Sequence, residues 1–84
     1  MKTSKITFTV TPLAFNPVHG RLWPMPAYSR EIRATSLAEA IRHAKAGLSQ
    51  WRDRGETMAA TSCEAFTVEY AGVGGTQTVE VSLT

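Results

Sequence analysis

Cys63, His19 and His43 are the residues whose types support nucleophilic chemistry, in which an imidazole takes the proton of a thiol or of a nearby serine. Cys63 stands in no nucleophile signature, and His43 falls on a helix flank away from the apolar stripe described below. A metal centre needs three or four ligands at workable spacing, and one cysteine with two scattered histidines matches no such pattern. The seven carboxylates are spread singly, which leaves no acid pair for general acid and base roles. Gly72, Gly74 and Gly75 join two strand patterns instead of opening a helix, so they form neither a P-loop nor a dinucleotide fingerprint. The expectation is a protein that is not an enzyme, with no catalytic residue, no metal site and no cofactor.

Two stretches suit binding instead. Phe15, His19, Leu22, Trp23 and Met25 lie in a proline-rich segment with Pro17, Pro24 and Pro26. Large apolar side chains on a stiffened loop lose little conformational entropy on docking, which makes this a candidate partner-binding loop; the competing reading is that it folds over an open end of a sheet and enlarges the core. Arg42, Lys45 and Arg52 fall within about one quadrant of a helix at 100° per residue, a basic flank able to meet phosphates or an acidic protein surface, or a plainly solvated helix face. The C-terminal strand pattern is a third candidate, as an edge that pairs with a second copy or a partner strand.

The element that must position these residues is a helix over residues 36–54. Leu37, Ala40, Ile41, Ala44, Leu48 and Trp51 recur at the spacing of an amphipathic helix with one buried face. Ser36 and Glu39 form an S-x-x-E capping box in which each side chain accepts from a backbone N–H of the first turn. Gly55 stands where a left-handed residue ends a helix, with Arg52 and Arg54 at the negative end of the dipole.

Strands are expected on both sides. Residues 5–11 alternate, with Ile6, Phe8 and Val10 on one face, and Pro12 ends the run. Residues 13–26 read as a long loop in which residues 19–23 form a possible short strand. Residues 28–35 alternate and lead into the helix cap. Residues 56–62 have no period and read as a connection, and residues 65–70 and 77–84 alternate about a glycine-rich hairpin loop. The order β-β-α-β-β predicts one α+β domain over residues 1–84, an antiparallel or mixed sheet with the helix packed on one face. Its expected core is Ile6, Phe8, Val10, Ile32, Leu37, Ile41, Leu48, Trp51, Phe66, Val68, Val79 and Val81. The other face then shows Thr7, Thr9, Thr11, Glu31, Arg33, Thr67, Glu69, Thr78 and Glu80. It is polar and carries no ring, unlike the sheet platforms that stack bases of single-stranded RNA.

With 84 residues the core is thin, and roughly 5 kcal/mol of stability is ordinary for this size. A single cysteine forms no internal disulfide, no leader pattern opens the sequence, and no apolar run approaches the roughly 20 residues that span a bilayer; the expectation is a reduced, cytoplasmic protein with no membrane partner. All nine Lys and Arg lie within residues 1–54 beside three carboxylates, whereas residues 55–84 hold four carboxylates and no base. That asymmetry gives the surface a basic and an acidic side unless the two halves interleave in the sheet.

Residues 22–57 carry Pro24 and Pro26, then Ser36-Leu37, Glu39-Ala40-Ile41, Ala44, Leu48 and Trp51. On these residues the segment resembles the N-terminal domain of HicB-type antitoxins, in which a proline-containing segment leads through a short strand into a capped helix of the T/S-L-x-E-A type. The family's P-D-L-P-G is here Pro24-Met25-Pro26-Ala27, its acidic helix is here basic, and no DNA-binding motif follows. The resemblance implies a partner-masking role. A lone α+β domain of this type is also similar to small phage-encoded inhibitors, anti-CRISPR proteins among them. The functional expectation is stoichiometric inhibition of a protein or nucleoprotein partner; the alternative is a small nucleic-acid-binding module using the basic helix flank.

Overall fold

β1 (Ile6–Asn16) is the spine on which every other strand but one is laid. The computed structural model describes residues 5–83; Lys2 and Thr84, counted above, lie outside them. After β1 come β2 (Arg21–Pro24), a 3-10 turn (Pro26–Tyr28), β3 (Arg30–Ala34), α1 (Leu37–Arg54), α2 (Met58–Thr61), β4 (Cys63–Gly72) and β5 (Gly75–Ser82). All pairings are antiparallel. β1 pairs β4 along one edge and divides its other edge between β3, beside residues 6–10, and β2, beside residues 13–16. β5 closes the sheet beyond β4, and α1 lies across β3, β1 and β4. This is the expected α+β domain, one long helix on an antiparallel sheet, with the short strand before the helix present as β2.

Pro12 does not end β1; it lies inside it, opposite Phe66 of β4. Each residue of a strand points its N–H and C=O toward the same neighbour, and the Pro12 carbonyl accepts from the Met25 N–H at 2.8 Å. The missing N–H of Pro12 is therefore on the β2 and β3 side, where one partner strand gives way to the other, and the ladder to β4 loses nothing. The presumed loop over residues 13–26 is consequently a hairpin that continues β1, and its strand is Arg21–Pro24.

Residues 56–62, read as a bare connection, contain α2, where Thr57 Oγ1 accepts from the Ala60 N–H at 3.1 Å. β4 starts earlier than expected, at Cys63, through a bulge. Leu13 pairs Ala65 while Ala14 pairs Cys63, so Glu64 is an extra residue against β1. The bulge turns Cys63 into the core and leaves Glu64 exposed.

Phe8, Val10, Leu48, Phe66 and Val68 are fully buried as expected, and Ile32, Leu37, Ile41, Trp51 and Val81 pack partly buried against them. Ile6 departs from the expectation at 43% exposed, because it begins β1 at the sheet's end. Ala34, Ala40 and Ala44 join the core, small side chains that let the helix approach the sheet closely. The helix ends as the sequence predicts, with Gly55 at φ +59° donating to the Arg52 carbonyl. The capping box is half made: Ser36 Oγ accepts from the Glu39 N–H at 3.2 Å, but the Glu39 carboxylate turns to the Thr35 hydroxyl at 2.7 Å.

The two halves of the chain do not interleave. β2, β3 and β1 are contiguous on one side of the sheet and β4 and β5 on the other, so Arg21, Arg30 and Arg33 are separated from Glu64, Glu69 and Glu80.

Candidate interaction surface

The β1–β2 hairpin and the β4–β5 hairpin point to opposite ends of the sheet, since β4 runs back along β1 until Gly72 comes level with Ile6 at the start of β1. The molecule is accordingly long, 47 × 27 × 21 Å. The β1–β2 tip is built by residue chemistry at Asn16. Its side-chain Oδ1 accepts from the Val18 N–H at 2.9 Å, its carbonyl accepts from the Gly20 N–H at 2.8 Å, and Gly20 takes φ +66°, which a side chain disfavours.

Strand alternation divides the candidate binding residues between two faces. Ala14 faces Trp23 and Asn16 faces Arg21 on one; Leu13 faces Pro24 and Phe15 faces Leu22 on the other. His19 stacks on Trp23 with ring centroids 5.1 Å apart, and the Arg21 guanidinium carbon lies 5.7 Å from the Trp23 ring centroid, a cation over an aromatic face. Arg21, Leu22, Trp23 and Pro24 line a shallow, mostly apolar depression along this outer strand. Phe15 is 44% exposed and Trp23 41%. Met25 lies apart from them, partly buried against the core. Leu13 and Ala65 are buried on the face opposite the helix, so the polar face expected there becomes apolar at its hairpin end and carries Phe15. Arg21 escaped the sequence reading, although its i, i+2 spacing from Trp23 becomes a signal once residues 21–24 are seen as a strand.

Arg42 and Lys45 are exposed on the helix, and neither has an ion-pair partner among the described residues. Arg52 is partly buried, with its Nε 3.9 Å from Asp53 Oδ1. The opposite flank faces β3: Trp51 packs on Tyr28 with ring centroids 5.2 Å apart, and Arg30 lies against Gly47. The basic flank thus looks toward β4 and β5.

His19 sits at the hairpin tip, His43 is exposed on α1, and Cys63 is fully buried, its thiol pushed up by burial while donating to the Ala65 carbonyl. No cluster of three or more His, Cys, Asp or Glu able to hold a metal occurs among the described residues. No helix among them is long and apolar enough to cross a membrane. No family model, curated protein or solved structure matches the chain.

Proposed function

We propose that this protein acts without catalysis, binding a protein or nucleoprotein partner stoichiometrically and masking the surface it covers, in the manner of an antitoxin or a phage-encoded inhibitor. The observation that carries this reading is the β1–β2 hairpin, which displays Phe15, Trp23 and the 85% exposed Val18 at one end of the sheet. Aromatic side chains on a rigid hairpin match the composition of interface hot spots. Between residues 13 and 24 the charged groups are cationic, with Arg21 and no carboxylate. The complementary partner surface is an apolar pocket with an acidic rim.

A second reading, a nucleic-acid-binding module, draws support from Arg42 and Lys45, exposed and in no ion pair among the described residues. Affinity capture from host lysate, with and without nuclease, separates the two. A stoichiometric protein partner that survives nuclease supports masking by the hairpin. Recovery that vanishes with nuclease or with rising salt favours the helix flank.

A further inference from the structure

Among the described residues three strand edges have no neighbouring strand, and they are not alike. β3 is five residues long and turns the backbone groups of Glu31 and Arg33 outward, so its edge is short and charged. β2 is four residues long and turns Pro24, which has no N–H, outward. Both carry the devices that keep an edge from pairing. β5 is eight residues long, holds no proline and no lysine, and has one charge, Glu80. The Leu83 N–H donates to the Glu64 carbonyl at 3.0 Å, which fixes the ladder's phase: Val81, Val79 and Gln77 bond β4, while Thr76, Thr78 and Glu80 turn N–H and C=O away from it. Those outward groups of Thr76, Thr78 and Glu80 have no hydrogen-bond partner among the described residues.

We propose that β5 pairs antiparallel with β5 of a second copy about a two-fold axis at Val79. In this register Val79 meets its own symmetry mate, Thr78 lies opposite the mate's Glu80, and Thr76 lies opposite the mate's Ser82. Every outward group of Thr78 and Glu80 is then bonded in both copies. A register centred on Glu80 sets two carboxylates face to face. One centred on Thr78 runs into Gly74, whose φ of +87° belongs to the turn. The two-fold axis stands perpendicular to the joined sheet, so both helices lie on one face. On the other face Glu69 and Glu80 of both copies gather about the axis, and their repulsion makes the dimer tighten as salt rises, opposite to the salt response of phosphate binding.

The test is sedimentation velocity over a concentration series, at low and moderate salt, with circular dichroism to verify folding. Wild type is expected to dimerise, more tightly at the higher salt. Thr78→Glu sets like charges opposite each other twice across the axis and weakens the dimer about tenfold or more. Thr78→Glu combined with Glu80→Lys creates two opposite-charge pairs in this register and restores it. Thr78→Pro removes an outward N–H that β4 does not use and gives a folded monomer. A wild type that stays monomeric into the high-micromolar range overturns the proposal, as does a dimer that tolerates both Thr78→Glu and Thr78→Pro. A dimer that Thr78→Glu breaks and Glu80→Lys fails to restore overturns the register.

Discussion

The Glu39 carboxylate accepts a hydrogen bond from the Thr35 hydroxyl at 2.7 Å, across the cap of the helix rather than back to the cap residue's own N–H. The Thr35 hydroxyl holds the Glu39 carboxyl below its ordinary range, with lesser help from the charges of His43 and Arg42. A lowered folded-state value stabilises the fold above the ordinary carboxylate range, and that contribution is lost as pH falls through the lowered value. Thr35→Val should therefore melt below wild type at neutral pH, and the two curves should converge on acidification. Melts that stay parallel across the acid range would show that Glu39 is not the linked group.

Leu48 is fully buried at the centre of the helix face, against the sheet. Leu48→Ala removes buried methyl groups and leaves a cavity, at a cost of about 2–5 kcal/mol. For a chain of this size that is much of the total stability. Urea denaturation should show a large fall in midpoint; an unchanged midpoint would mean that the helix packs on another face.

Helix and cap were legible in the sequence because their signals are local: a period of 3.6, a serine three residues before a glutamate, a glycine past the last turn. The strands flanking the helix were legible for the same reason, through alternation. Pro12 was not, because whether a proline breaks a strand depends on which neighbour its N–H would have met, and that neighbour is set by β2 and β3 far along the chain. α2, with four residues, is too short to show a period. The bulge at Glu64 reverses the alternation at the start of β4, so the alternation over residues 65–70 does not extend to Cys63. The size and apolarity of Phe15, Leu22, Trp23 and Met25 are visible in the sequence, but the division of the hairpin residues between two faces, and the packing of Met25 against the core, follow from the cross-strand pairing.

Cys63 is enclosed on all sides and its thiol is held above the ordinary range by burial. Native protein should react with an aromatic disulfide reagent far more slowly than a free thiol, and denatured protein at the ordinary rate. The sign of the linkage is the reverse of that for Glu39. The neutral thiol is favoured in the fold, so its contribution is complete below the ordinary thiol range and is lost as pH rises through the elevated value. Rapid labelling under native conditions would contradict the burial.

Trp23→Ala removes the ring on which His19 and Arg21 stack and leaves the strand ladder intact. The expected cost in stability is about 1 kcal/mol. Combined with Phe15→Ala, it should abolish capture of the partner by the otherwise folded protein. Undiminished capture by the folded double variant would transfer the binding surface to the helix flank or to β5.

β1 also imposes an order on the making of this protein. During synthesis it emerges well before β4, and in the interval only β2 and β3, joined to it by short connections, are available to satisfy its outer edge. The inner edge, at Thr9, Thr11 and Leu13, waits until β4 has left the ribosome. Closing that pairing is a contact of long sequence separation, the kind that slows folding and lengthens the exposure of an unpaired strand to other nascent chains. The β4–β5 hairpin, self-contained and later in the chain than the other strands of the sheet, is the piece whose docking converts a three-stranded nascent unit into the five-stranded sheet.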